Sequence, residues 1–563
     1  MAKNKIDIYL LFLSDEHSSE YVDEYYQQIA FLCGFTGSNA MVAVTMEEAG
    51  LWTDGRYFIQ AKNEMAGSGV TLYKSGEENV ETIYEFVEQH LNKGNTLAYY
   101  GRTVTVQKEK LFLNIIERKE AKKILDMDLM NLIWKKRPKR TAKPIYLLTE
   151  EYAGVSANAK INALYNAFTE AGADAHLLSN LCDIAWLLNL RGNDIESTPV
   201  FFSYFWLSAK ERILYTQKES LSGEIEDYLS KLHVKIRDYE LIYTDLKRKR
   251  ISTVMLDDTI VNQSLYHAFL SKVSFLFQKN PTELMKAVKN EVEIKNTKKA
   301  HLWDAVAMCR FLYEVKNELK IEEYDEYTLS QHLLTLREAQ PGFIEPSFET
   351  ICAYGENAAL MHYTATIEKS TPLEKKGFLL VDSGGHYKEG STDITRTIVL
   401  GPITEEERHG FTLVLKASIR LMMARFPMGV SGENLDVLAR GVMWQEGLDY
   451  RCGTGHGVGH ILGVHEGPNS FRWRLKPNAS MTPIIPGMIT TDEPGLYEEH
   501  QFGIRTENEL LCVIDDKTEY GQFLSFENLT LVPIDIEAID ISMLSDSELL
   551  FFNVFHAKVY EQV

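Results

Sequence analysis

The sequence predicts a three-domain α/β (α+β) chain: two similar α/β domains, then a larger domain of alternating helices and strands. Three observations predict it. At 563 residues the chain exceeds what a single ordinary core supports, so two to four domains are expected. One order of elements occurs twice in the first half, about 150 residues apart. The remaining ~270 residues read as two rounds of helices followed by strands.

The first copy runs through "IDIYLLF" and "QIAFLCGFTGSNAMVAVTMEEAGLWTDGRYFIQA": an apolar strand, a helix-like stretch, a Gly-rich turn, then strands. The second, "ADAHLLSNLCDIAWLLNLRGNDIESTPVFFSYFWLSAKERILYTQ", repeats that order, and Ile29-Ala30-Phe31-Leu32 aligns with Ile184-Ala185-Trp186-Leu187. Duplicated domains are the preferred account, with coincidence the alternative on these residues alone. The basic run 135–144 and the segment 278–293 are the expected linkers, giving domains 1–140, 141–288 and 289–563. In the last of these, "EIKNTKKAHLWDAVAMCRFLYEVKNEL" has helical periodicity. A further helix begins at a capping-box spacing, Thr404 and Glu407, and is expected to stop at Pro427. Another, near 432–446, ends at Gly447. "GMITTDEPGLY" and "FGIRTENELLCVI" read as strands.

Composition excludes some classes. No apolar run approaches the roughly 18–20 residues of a membrane span, and the N-terminal stretch lacks the cleavage site of a secretory signal. The six cysteines are scattered without CxxC spacing, as expected for reduced thiols in the cytoplasm. A formal charge of −21 argues against nucleic acid or an anionic membrane as partner.

Two acids interrupt the apolar stretch "GFLLVDSGGHYKEGSTDITRTIVLG": Asp382 closes one strand and Asp393 opens the next. On that second strand Asp393, Thr395 and Thr397 share a face, opposite Ile394, Arg396 and Ile398. The pattern recurs near the end, where Arg505, Glu507 and Glu509 alternate with Ile504, Thr506 and Asn508. Glu493 precedes the turn at Pro494, and "GTGHGVGHILGVHEGP" places histidines in a Gly-rich loop between. Each feature has a plain alternative. An Asp before Ser-Gly-Gly is commonly a turn former, Glu507 beside Arg505 a surface ion pair, and a lone histidine a satisfied core group. The loop matches neither GxGxxG nor GxxxxGK[ST]; "HEGPN" is not HExxH, because Asn469 stands where the second histidine would; no GxSxG occurs. Taken together, four carboxylates and a histidine suit two hard or borderline divalent cations, manganese or cobalt rather than a thiolate-type zinc centre. The charges of Asp382, Asp393, Glu493 and Glu507 balance two such ions, and without cations the four would repel one another.

The motifs "VDSGGHYKEGSTDITRT", "GTGHGVGHILGVHEGP", "TDEPGLY" and "GIRTEN" resemble the metal-site motifs of the pita-bread metallopeptidases. Within that superfamily the chain is most similar to the three-domain cytosolic Xaa-Pro aminopeptidases (aminopeptidase P). "EYV", "GFTGS", "WTDGRYF" and "LNLRG" extend the resemblance into the front half. The resemblance implies two creatinase-like N-terminal domains and a pita-bread catalytic domain. It implies that Asp382 binds one metal, that Asp393 and Glu507 bridge both, and that His456 and Glu493 bind the other. A metal-bridging hydroxide would attack the Xaa-Pro bond, with Glu493 moving the proton. His362 and His465 match residues that hold the scissile carbonyl and stabilise the oxyanion, and Arg56 matches a residue that binds the peptide. Two Mn²⁺ ions, peptide substrates with proline at position 2, and a homodimer through the catalytic domain are likewise implied.

The sequence departs from the family pattern in places. Cys452 stands four residues before His456, where a histidine is common, and is expected to be a small wall residue rather than a ligand. His456, not His460, is the expected ligand because of its spacing to His465. Both ends look short: the chain starts almost directly on a strand and is expected to stop before the family's final helix. The rivals are a prolidase restricted to dipeptides, a creatinase-like amidinohydrolase, and an inactive pita-bread binding module. All five expected ligands are present, which disfavours the last two.

Overall fold

The computed structural model describes residues 1–474 and 481–563. Those residues form two compact units, one of 1–149 with 155–283, the other of 150–154 with 284–563.

In the first unit the duplication is a matter of topology. One sheet contains Ile8–Phe12, Met41–Val44, Ala49–Thr53, Thr71–Lys74, Thr96–Tyr99 and Lys122–Ile124. Its spatial order, counted along the chain, is fourth, third, second, first, fifth, sixth. The second sheet contains Ala175–Leu178, Ser203–Ser208, Arg212–Thr216, Lys235–Asp238, Thr253–Leu256 and Ser274–Phe277, in the same order. Strand directions also agree: the first, second and third pair antiparallel, and the outer three join in parallel. The aligned tetrapeptides fall in matching helices, Gln28–Cys33 and Leu181–Leu188, where Ile29 and Ile184 are wholly buried. Glu16 joins the two halves, its Oε2 accepting the hydroxyls of Tyr204 at 3.0 Å and Tyr243 at 2.9 Å.

The second unit consists of two rounds of helices laid on strands. Helix Glu291–Asn317 starts at Asn290, whose side chain accepts the N–H groups of Val292 and Glu293. It packs against helix Glu326–Glu338, and Arg337 donates to both oxygens of buried Asp304 at 2.8 and 3.2 Å. Met308, Phe311, Leu329 and Leu333 from these helices meet Leu379, Val381, Ile394 and Ile398 of the sheet Ile351–Tyr354, Phe378–Ser383, Ile394–Val399. That contact uses one face of the hairpin and leaves the face of Asp382 and Thr395 for the site. Helices Glu405–Met422 and Gly432–Gln445 repeat the device on a sheet containing Ile489–Asp492, Asn508–Thr518 and Gly521–Asn528.

The structure corrects several expectations. The helix begun at Thr404 ends at Met422, and Arg425–Pro427 form a strand beside Gly521–Asn528 instead. "GMITTDEPGLY" and "FGIRTENELLCVI" are not continuous strands. Each breaks, at Glu493-Pro494 and at Thr506-Glu507, and its halves enter different sheets. The closing residues form a helix, Asp546–Gln562, with a Ser545–Glu548 capping box, where no element was assigned from the sequence. Among the described residues no helix is long and apolar enough to cross a membrane.

Candidate metal centre

The hairpin register places Asp382 opposite Thr395 and brings the start of the second strand, Asp393, to the same side. The two strand breaks supply the rest. Leaving the sheet at Asp492 frees Glu493, whose N–H donates to the Thr454 carbonyl at 2.8 Å. Entering the next strand at Asn508 frees Glu507, whose N–H donates to the Thr395 carbonyl at 3.1 Å and whose Oε2 accepts the Thr395 hydroxyl at 2.8 Å.

The Gly-rich loop has a steric cause. A Cβ on Gly455 would lie 1.9 Å from the Thr491 carbonyl oxygen, and one on Gly457 would lie 2.1 Å from that of Glu466. The glycines on either side of His456 therefore let its backbone cross close to two neighbouring segments, and no phosphate cradle is needed to explain them. The His456 N–H donates to the Thr491 hydroxyl at 3.1 Å, and its Nδ1 lies 3.0 Å from the Gly457 carbonyl. With Nδ1–H donated to that carbonyl, Nε2 faces Asp393 Oδ2 at 3.4 Å and Glu493 Oε1 at 3.5 Å: it donates to them while the ring is protonated and offers a lone pair once that proton is lost.

Ligand atoms of Asp393, His456 and Glu507 lie within 4.8 Å of one another. Asp382 and Glu493 stand at the edge of that group, Asp382 through Arg505, which donates to its Oδ2. Asp382 Oδ1 is buried without a hydrogen-bond partner. The electrostatics fit cations at this place. Burial, and then the charge of Asp382 and of Glu493, push Asp393 up to about 6, although the hydrogen bond from His456 opposes them. Burial and the neighbouring charges of Asp393, Asp382 and Glu493 push Glu507 well above the usual carboxylate range. His456 is held down by burial, but the Asp393 hydrogen bond and the Glu493 charge prevail and lift it to about 9. Every shift is of the kind that added positive charge would relieve. Oxygen and imidazole donors without a thiolate suit hard or borderline divalent ions.

Cys452 is outside the group: burial pushes its thiol up to about 11, and its side chain packs at the edge of the core around the second helix pair. His460 is engaged elsewhere, with Nδ1 3.3 Å from the Thr297 hydroxyl and Nε2 3.2 Å from the Tyr152 carbonyl. His465 sets its ring perpendicular to that of His456, centroids 4.3 Å apart. His362 is half-buried in the turn after Gly355–Ala359. Arg56 belongs to the first unit, where Asp54 receives its Nε and Nη2 at 2.8 Å each.

Three supporting residues were not singled out from the sequence for these roles. Arg505, buried, donates to the Thr395 hydroxyl at 3.1 Å, to the Tyr497 hydroxyl at 2.8 Å and to Asp382. Arg396 donates to the Glu507 carbonyl at 2.7 Å and to Asn508 Oδ1 at 2.9 Å, holding the strand break in place. Glu509 accepts the Asp393 N–H at 2.7 Å and faces His301 at 3.3 Å. The alternation of Arg505, Glu507 and Glu509 was the available signal, since all three point inward across the break.

Comparison with known proteins matches residues 295–513 to metallopeptidase family M24 and 522–563 to the C-terminal region of that peptidase. Residues 1–133 and 136–293 each match a creatinase/prolidase N-terminal domain. A probable Xaa-Pro aminopeptidase P from Botryotinia fuckeliana is 35% identical over 584 residues, covering 100% of this chain and 88% of its own. The X-prolyl aminopeptidase of Caenorhabditis elegans, a cytosolic enzyme with a di-nuclear active site, superimposes with a TM-score of 0.93 at 32% identity, covering 99% of this chain and 92% of that one. The Xaa-Pro dipeptidase of Bacillus anthracis gives a TM-score of 0.53 at 26% identity, covering 68% of this chain and 99% of its own.

Proposed function

This chain belongs to metallopeptidase family M24, as a three-domain member, and from that premise we propose how it acts. It is a metallo-aminopeptidase that hydrolyses the bond between an N-terminal residue and a following proline. The observation that carries this is the Asp393–His456–Glu507 group, both acids of it buried, in a chain similar over nearly its full length to an X-prolyl aminopeptidase with a di-nuclear site. Asp382, Asp393, His456, Glu493 and Glu507 would hold two divalent ions, for which we favour Mn²⁺. Bound there, such ions supply Lewis acidity and lower the pKa of water toward roughly 7.

The chain's own residues do the rest. Glu493, with a fifth of its side chain exposed, takes the proton of the attacking water and passes it to the leaving proline nitrogen. His465 and His362 hold the scissile carbonyl and donate to the developing oxyanion. Arg56 binds the peptide. A proline nitrogen in an Xaa-Pro bond carries no hydrogen, so selection for it rests on shape, and the Cys452 side chain is suited to lining a small apolar wall.

The domain boundaries we propose remain 1–140, 141–288 and 289–563. The cytosolic C. elegans enzyme supports a cytoplasmic setting. Exposed Val437 and Trp444 on one helix, with Trp473 set edge-on to Trp444 at 5.7 Å, supply an apolar face for a homodimer of catalytic domains.

A dipeptidase is the alternative, and the relatives weigh against it: the dipeptidase accounts for 68% of this chain and the aminopeptidase for 99%. Comparing Lys-Pro-Pro with Lys-Pro decides. The tripeptide should be cleaved with much the higher kcat/KM, and Arg56→Ala should raise KM for it. Equal kcat/KM for the two peptides would establish a dipeptidase.

A further inference from the structure

A buried carboxylate that is not among the proposed metal ligands organises the loop that carries His362. Glu326 opens the helix Glu326–Glu338 and is wholly buried. Its Oε1 accepts the Tyr354 N–H at 2.7 Å and the Asn357 side-chain amide at 2.9 Å. Its Oε2 accepts the Tyr363 hydroxyl at 2.6 Å, the Thr371 N–H at 2.8 Å and the same Asn357 amide at 3.2 Å. These donors stand at both ends and in the middle of 354–371, and His362 immediately precedes one of them. Capping the helix does not require this, because Asp325 already does so by accepting the Thr328 N–H at 2.7 Å.

The loop is gripped elsewhere as well. The Tyr363 ring packs with Ile351, Ala353, Ala358 and Leu380, so the residue beside His362 is fixed at both ring and hydroxyl. On another side the loop lies against strand Phe502–Arg505: a Cβ on Gly503 would fall 1.7 Å from the Ala358 carbonyl oxygen. That strand ends at Arg505, two residues before Glu507, so the histidine's loop is packed close in the chain to a proposed bridging ligand.

We propose that Glu326 is a positioning residue for the peptidase reaction. Through Tyr363 and Asn357 it holds His362 where its ring meets the scissile carbonyl, without touching substrate or metal. Charge-assisted hydrogen bonds to a buried carboxylate are strong, and several convergent ones define a loop more closely than apolar packing alone. The inference rests on the catalytic role given to His362, and the competing account is a staple that serves stability only.

A double-mutant cycle separates the two. Tyr363→Phe keeps the packed ring and removes one donor; Glu326→Gln keeps the shape and removes the charge. Each is made alone and with His362→Ala, and kcat, KM and metal content are measured on Mn²⁺-loaded protein with Lys-Pro-Pro. Either substitution should lower kcat by roughly 3- to 30-fold, the worth of one strong hydrogen bond or a small misplacement. KM and metal content should hardly change. Combined with His362→Ala, the same substitutions should change kcat by less than about twofold. Undiminished losses in the His362→Ala background, or no loss in either single variant, would overturn the positioning role and leave that of His362 standing. A His362→Ala protein with unchanged kcat would overturn both.

Discussion

Glu509 shows how a residue can matter to a metal centre without being a ligand. It is fully buried, accepts the Asp393 N–H through Oε1 and faces His301 with the other oxygen. Removing it leaves a buried donor unpaired, a cost of about 1–3 kcal/mol, and frees Asp393 to turn. Glu509→Ala should therefore weaken Mn²⁺ binding by roughly 10- to 100-fold, as loss of a ligand's supporting partner does. Glu509→Gln retains an acceptor and should lose far less, whereas Asp393→Ala and Glu507→Ala should bind least of all. Calorimetric titration with Mn²⁺ ranks the four, and wild-type affinity in Glu509→Ala would remove this supporting role. At this scale Asp393 and Glu507, which the structure brings together with His456, were conspicuous as carboxylates inside apolar strands. For Arg505 and Glu509 only their alternation with Glu507 was visible, and for Arg396 nothing was, because the partners that give all three their roles come from distant strands.

At the scale of elements, periodicity was informative wherever one face of an element met one core. The hairpin at 378–399 and the helices at 291, 405 and 432 are of that kind, and the cap of the helix at 405 was visible as Thr404 and Glu407, three residues apart. The breaks at Glu493-Pro494 and Thr506-Glu507 were hidden, because inward-outward alternation runs on across a change of sheet. Those breaks release the two glutamates from strand pairing and turn them into the cluster. The Gly-rich loop makes a matching demand on space. Gly455→Ala would push a Cβ into the Thr491 carbonyl oxygen and force the Gly455–His456 segment away from strand Ile489–Asp492, to which the His456 N–H is bonded. We expect Mn²⁺ affinity to fall at least about tenfold with far-ultraviolet circular dichroism retained, since only the His456 segment must move. Unchanged affinity would mean that the backbone crossing there has slack.

In the whole molecule, the duplicated front half was readable as a repeated order of elements, and the shared strand order confirms it. Its part in holding the peptide is tested by Arg56→Ala with Lys-Pro-Pro, where KM should rise. The centre also links stability to pH. Without cations, Asp393, raised to about 6, favours the fold at low pH and loses that contribution as pH rises from the unfolded value of 3.8 through 6. His456, raised to about 9, contributes fully below 6.5 and loses its contribution as pH rises through 9. Both therefore withdraw support as pH rises, while cations bind better as these groups shed protons. The gain in Tm on adding Mn²⁺ should thus be larger near pH 8 than near pH 6; an equal or smaller gain would contradict the assignment of these two residues as ligands. The most direct test of the central claim is a titration of chelator-stripped protein with Mn²⁺, reading Lys-Pro-Pro hydrolysis at each step. The account predicts no turnover in the stripped protein and activity that rises to saturate at two ions per chain. Full hydrolysis by protein shown to be metal-free would contradict it.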